Sequence, residues 1–186
     1  MYLIVGLGNP GATYENTRHN LGFRVIEELG ERLGLSHLRD KCRSFVGEGK
    51  IDDHKVIIAE PQTFMNNSGE AIRELLFWYK LNSEYLIVVH DDVDLEVGEI
   101  RIKRGGGSAG HHGLESIIKN IGDSEFIRVR IGIGRESLIG DVTPYVLSEI
   151  PPSQREAIDA SIIVAADAVT AIIREGLTSA MNKFNK

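Results

Sequence analysis

A histidine and a carboxylate are the first residues in this chain whose types and surroundings suit chemistry. His19 lies in the polar run Tyr14-Glu15-Asn16-Thr17-Arg18-His19-Asn20, and Asp91 follows His90 at the end of the apolar segment 85–89. An imidazole accepts a proton from water near neutrality when a carboxylate holds its other nitrogen, because the carboxylate fixes the tautomer and raises the basicity. Amides at Asn9 and Asn66, with nearby backbone N–H groups, are donors for a developing oxyanion. Each residue also has a plainer reading. A histidine before a helix is often a cap or a surface group, and Asp91 with Asp92 and Asp94 suits a turn. Asn9-Pro10 is a favoured turn pair, and Asn66 suits a helix N-cap.

These residues need a frame. Residues 2–5 read as a short buried strand, and Leu21, Val25, Leu29 and Leu33 recur every four residues before Gly34, which predicts a helix starting just after His19. Segments 44–51 and 55–59 flank the polar turn Asp52-Asp53-His54 as a hairpin. A helix is expected over 68–80 with Asn66, Asn67 and Ser68 as N-caps, then a strand over 85–89, another over 99–104, and a helix over 113–121. In 126–133, Ile127, Val129, Ile131 and Ile133 alternate with Arg128 and Arg130, which predicts a strand with one charged face. Thr143-Pro144 opens a short helix, and Ser153 with Glu156 reads as the capping box of a long helix closed by Gly176. Strands alternating with helices predict an α/β fold with a mixed, largely parallel sheet covered on both faces. The polar clusters then converge outside the carboxyl ends of the strands.

Length and composition bound the possibilities. A chain of 186 residues with 42% hydrophobic content suits one globular domain over 1–186. Cys42 stands alone, the opening residues lack a secretory pattern, and the longest apolar run, 162–166, is too short to span a bilayer. A soluble, cytoplasmic protein is expected. The net charge of −6 argues against nucleic-acid binding, yet residues 101–135 hold seven Lys or Arg against three acids. A basic segment on an acidic body suits a protein that grips one part of a polyanion.

Gly6, Gly8 and Gly11 match the spacing of a dinucleotide-binding loop, but Pro10 removes a backbone N–H inside the turn, and no acidic strand end follows at the required distance. The run Gly6-Leu7-Gly8-Asn9-Pro10-Gly11, with Tyr14, Thr17-Arg18-His19-Asn20 and Gly22, instead resembles the opening signature of the bacterial peptidyl-tRNA hydrolase family. Further similarities follow in order: Phe64-Met65-Asn66 with Ser68-Gly69, His90-Asp91 with Asp94, the glycines 105–107 leading to Gly110-His111, and Arg128-Val129-Arg130-Ile131-Gly132-Ile133-Gly134.

The resemblance implies a three-layer α/β/α sandwich and hydrolysis of the ester joining a peptide to tRNA, without a cofactor or metal, by a monomer whose partner is peptidyl-tRNA. By position it makes His19 the general base, Asp91 the acid that orients it, and Asn9 the residue that screens for a blocked amino group. It places Tyr14, Phe64 and Asn66 at the peptidyl-adenosine end, and Lys103 and Arg130 on a tRNA phosphate. One position departs: the family's usual Gly-His-Asn-Gly reads Gly110-His111-His112-Gly113 here. An imidazole replaces a substrate-positioning amide at His112, and a charged His112 is expected to oppose protonation of His19. Two other readings stay open. His90, Asp91, Asp92, Asp94, His111 and His112 form a ligand-rich set for a metal, and relatives of this family that serve in chloroplast RNA splicing suggest a non-catalytic RNA-binding protein.

Overall fold

In the computed structural model, which describes residues 1–135 and 140–186, one seven-stranded sheet carries every other element. Strands β1 (Tyr2–Gly6), β2 (Arg39–Lys41), β3 (Ser44–Ile51), β4 (His54–Pro61), β5 (Leu86–Asp92), β6 (Ile100–Arg104) and β7 (Ile127–Gly132) lie in the order β2-β3-β4-β1-β5-β7-β6. The central pairs β4 with β1, β1 with β5 and β5 with β7 are parallel, whereas β2–β3, β3–β4 and β6–β7 are antiparallel. The sheet is therefore mixed, with β3 and β6 against the common direction.

Central β1 is apolar throughout because both of its faces are covered. Ile4 faces helices α1 (Leu21–Arg32) and α5 (Pro152–Glu175), joining Val25, Ile26, Leu29, Ile162 and Val169 in one core. Leu3 and Val5 face the other way and join Ile72, Leu75, Leu114 and Ile117 from helices α2 (Ser68–Tyr79) and α3 (His112–Ile121). Two cores on two faces make the α/β/α layering. Short α4 (Thr143–Val146) precedes α5, and α6 (Leu177–Phe184) packs beside β6. Among the described residues no helix is long and apolar enough to cross a membrane.

Two glycines set the position of α1. A Cβ on Gly22 would lie 2.3 Å from Leu7 N, and one on Gly6 would lie 2.1 Å from Gly22 O. The first turn of α1 therefore presses on the end of β1, which brings the preceding His19 to the carboxyl edge of the sheet.

Several expectations change in detail. The third strand of the parallel core does not stop at 89 but continues through Asp92, because His90, Asp91 and Asp92 pair with Arg130, Ile131 and Gly132 of β7. Asn67 precedes α2 without a side-chain cap; the chain enters through a 3-10 turn at Met65–Asn67, and Ser68 Oγ donates back to Met65 O at 2.8 Å. The Ser153–Glu156 capping box does not form, since the helix already starts at Pro152, whose fixed φ and missing N–H suit the first helical position. The charged face of β7 is also half wrong: Arg128 is buried, at 1% exposure, and only Arg130 reaches the rim. Strand β2 and helix α6 were not foreseen; three and eight residues carry little periodicity.

Candidate active site

The base sits where a rigid turn meets a rigid strand. His19 belongs to a 3-10 turn, Arg18–Asn20, that Arg18 pins from behind. The Arg18 guanidinium donates to Ser148 Oγ at 2.5 Å and Glu149 O at 2.9 Å and lies 4.2 Å over the Tyr145 ring. From this turn His19 Nδ1 donates to both Asp91 oxygens, at 2.8 and 2.9 Å. Both side chains are buried. Because Nδ1 carries the proton, Nε2 is left as the acceptor that a base requires. Burial pulls the His19 pKa down, but the charge of Asp91 and its hydrogen bond outweigh that and raise it above the ordinary imidazole value.

Asp91 has a second imidazole partner that sequence reasoning did not assign. His111 caps the start of α3, its Nδ1 accepting from the N–H groups of Gly113 and Leu114 at 3.1 and 3.4 Å. That acceptor role places the His111 proton on Nε2, which donates to Asp91 Oδ1 at 3.1 Å. Burial alone would raise the Asp91 pKa, yet His19 and His111 hold it far below the usual carboxylate range. His90 completes the group: its Nδ1 donates to Asp91 O at 2.7 Å, and its ring stands edge-on to His111 at 5.0 Å. Burial, with His111 beside it, keeps His90 neutral by lowering its pKa well below the ordinary value. A small cavity of about 50 Å³ opens beside His19, His90, Asp91, Ser108, His111 and His112.

Asn9 is aimed by two partners. Its backbone and the Asn20 side chain exchange hydrogen bonds, Asn9 N donating to Asn20 Oδ1 and Asn20 Nδ2 donating to Asn9 O, both at 2.9 Å. Asn9 Oδ1 accepts from Met65 N at 2.7 Å, so the side chain presents its Nδ2 as the remaining donor. Phe64 is 52% exposed and holds φ at +61°, a left-handed conformation that a bulky residue rarely adopts. Its ring meets Tyr14 edge-on at 6.4 Å, and Asn66 is exposed beside it. The 61–67 connection and the 9–20 loop are thus joined into one rim.

The other predicted residues spread from this centre. Lys103 and Arg130 lie on adjacent strands at the β6 side of the sheet. Arg130 Nε donates to Asp92 Oδ2 at 2.8 Å, while Lys103 has no carboxylate within pairing distance among the described residues. Burial and the charges of Arg128 and Arg130 lower the Lys103 pKa. His112 is exposed, with Nδ1 3.4 Å from Glu115. The influences on His19 are burial and Asp91, so the expected opposition from His112 has no structural support.

The ligand-rich set lines one cavity, but its ligand atoms do not all converge. Asp92 is tied to Arg130, Asp94 to Arg135, and His112 to Glu115. Among the described residues the group that can hold a metal ion is His19, Asp91 and His111, whose ligand atoms lie within 4.8 Å of one another. The hydrogen bonds that join those three account for their convergence without a further group. Two other contributors, Arg18 and Asn20, stood inside the quoted motif, but nothing local signalled that they brace His19 and Asn9.

This geometry has close counterparts. The family model described as peptidyl-tRNA hydrolase matches residues 3–186. The chain is 49% identical over 185 residues to the peptidyl-tRNA hydrolase of Thermoanaerobacter sp. (strain X514), covering all of both chains. It is 46% identical over 186 residues to that of Carboxydothermus hydrogenoformans, covering 100% of this chain and 99% of the other. The crystal structure of peptidyl-tRNA hydrolase from Acinetobacter baumannii superimposes with a TM-score of 0.93 at 37% identity, covering 100% of this chain and 94% of that one. With nearly its whole length matched in sequence and in fold, this chain belongs to the peptidyl-tRNA hydrolase family.

Proposed function

We propose that the His19–Asp91 pair activates a water molecule that attacks the ester carbon joining a peptide to the terminal ribose of tRNA. The chain is a peptidyl-tRNA hydrolase, and the products are free tRNA and an N-blocked peptide. His19 Nε2 takes the proton of the attacking water, and Asp91 stabilises the imidazolium that forms. The Nδ2 of Asn9 meets the blocked amino end of the substrate or its developing oxyanion. Tyr14, Phe64 and Asn66 receive the terminal adenosine and peptide, His112 borders that site, and Lys103 and Arg130 meet a tRNA phosphate. Hydrolysis by this route needs no cofactor or metal, and the protein works as a single-domain monomer in the cytoplasm.

The observation that carries this reading is the double hydrogen bond from His19 Nδ1 to Asp91 inside a buried site, which leaves Nε2 as a base. Single-turnover hydrolysis of an N-blocked aminoacyl-tRNA against its unblocked form, in the presence of chelator, tests it. Wild type is expected to cleave the blocked substrate selectively, and His19→Ala to lose about 10³-fold or more while keeping its fold. Tight tRNA binding without cleavage by wild type would instead identify a binding relative. Lys103→Ala is expected to raise KM more than it lowers turnover and to flatten the salt dependence of binding.

A further inference from the structure

Glu60 is 8% exposed, and among the described residues its Oε1 meets no donor. Strand β4 alternates, with Val56 and Ile58 toward α1 and α5 and with Ile57 and Ala59 toward α2, so Glu60 faces α1. The charge it meets there is another acid, Glu27, and across the β3–β4 pair its neighbour is the uncharged Phe45. A carboxylate withdrawn from water, with no donor and a like charge beside it, is costly to ionise. Burial and Glu27 accordingly raise its pKa to about 8. The hydrolytic chemistry of His19 and Asp91 leaves this buried acid without a role.

Glu27 also lines a groove of about 500 Å³ bounded by the 9–20 loop, α1 and the start of α5. Its charges do not cancel. Arg24 is taken by Asp159 at 2.6 Å, and Arg155 turns its Nε onto Ile150 O at 3.5 Å. Glu15, Glu27 and Glu149 enter no ion pair among the described residues. Burial raises the Glu27 pKa, and Glu15 and Glu31 add to it against the pull of Arg24. These acids do not converge on one point: among the described residues the group that can hold a metal ion is His19, Asp91 and His111. Carboxylates spread along a groove suit separated ammonium groups better than one compact ion. Buried Phe23 and Ile150 in the same groove offer apolar contact to the methylenes between them.

We propose that this groove binds a linear aliphatic diamine or polyamine, with one ammonium set between Glu27 and Glu60 and another at Glu15 or Glu149. The first ammonium supplies the donor that Glu60 Oε1 lacks. Glu60 then releases its proton to solvent, and the carboxylate that forms is held by the cation. The groove is separate from the His19 cavity. One link joins them: Asn20 lines the groove while its side chain holds Asn9.

Titration calorimetry of the full chain with putrescine tests the site, in chelator and without tRNA, a polyanion that would compete for the amine. Protonated Glu60 opposes binding, and that opposition fades as pH rises toward about 8. Wild type is therefore expected to bind putrescine saturably and about tenfold more tightly at pH 8 than at pH 6.5. At pH 7 binding should release about one proton, read from buffers of different ionisation heat. Glu60→Gln should weaken binding at pH 8 by about tenfold and remove most of the pH dependence and the proton release. Glu70→Gln, on α2 at the other face of the sheet, should change neither. Butylamine, which has a single ammonium, should bind about tenfold more weakly than putrescine. Equal binding by wild type and Glu60→Gln would overturn the proposal, as would uptake without saturation. Butylamine binding as tightly as putrescine would also overturn it, as would magnesium chloride displacing putrescine better than sodium chloride at equal ionic strength, because the groove would then hold a point cation. Should Glu60→Gln fail to fold, the pH dependence and proton release of wild type decide alone.

Discussion

Asp91 and Glu60 are both carboxylates buried at the carboxyl edge of the sheet, on the two strands that flank β1, yet their surroundings shift their pKa values in opposite directions. Asp91 receives three N–H contacts from His19 and His111 and stays ionised. Glu60 faces Phe45 across the β3–β4 pair, its Oε1 finds no donor among the described residues, and burial together with the charge of Glu27 pushes its pKa up to about 8. Burial is shared; donors are not. The difference teaches that this edge maintains a buried anion only where imidazoles pay for its desolvation, and only there can the anion orient a base. Burial and the charge of Glu27 favour the protonated form of Glu60, which takes no part in that wiring.

The largest effect expected from disturbing this contrast is Asp91→Asn. Removing the charge and putting an amide donor in place of one carboxylate oxygen lets His19 adopt the wrong tautomer, so single-turnover hydrolysis should fall by about 10²–10⁴-fold with the fold retained. A loss under tenfold would mean that the hydrogen-bonded anion does not set the base.

Glu60→Gln should act on stability instead. The folded-state pKa is raised above the unfolded value, so protonated Glu60 is favourable below about pH 4.5 and that advantage disappears as pH climbs to about 8. A neutral amide escapes this loss. Urea unfolding should therefore show the variant more stable than wild type by on the order of 4 kcal/mol at pH 8 and nearly equal at pH 4. The same difference at both pH values would show that Glu60 is not the titrating group.

The acid limb of the wild-type pH–rate profile should lie above the ordinary imidazole value, because the base form of His19 is lost as pH falls through its raised pKa. In Asp91→Asn the residual activity should show the limb at lower pH, since burial then acts without the opposing charge. Glu60→Gln should leave the limb in place. The smallest effect belongs to His112→Asn: an exposed imidazole paired with Glu115 contributes little, and the limb should not move. A shift there would restore the electrostatic link between His112 and the base.

Legibility in the sequence followed range. The α1 stripe, the 44–59 hairpin and the apolar strands are readable because their periodicity is local, and their actual bounds differ by only a few residues. The strand is expected to stop at 89, because two polar residues, His90 and Asp91, ending an apolar run look like a strand end. Only pairing with Arg130 and Ile131 of β7 shows that they continue the strand. Arg128 was read as surface because alternation predicts which face a residue takes but not what covers that face. His111 was visible in the motif, but its tautomer depends on α3 beginning one residue later.

The sequence by itself determined the alternation of strands and helices, the placing of polar clusters after apolar strands, and the family resemblance those clusters carry. These depend on residue types and short spacings. Tertiary structure alone decided that His19 and Asp91, 72 positions apart, share hydrogen bonds, that His111 joins them, and that Glu60 has no such donors. Hydrogen bonds require positions within about 3 Å, and the charge of a buried group depends on which donors arrive there. Both are set by how α1, β4, β5 and α3 pack around β1.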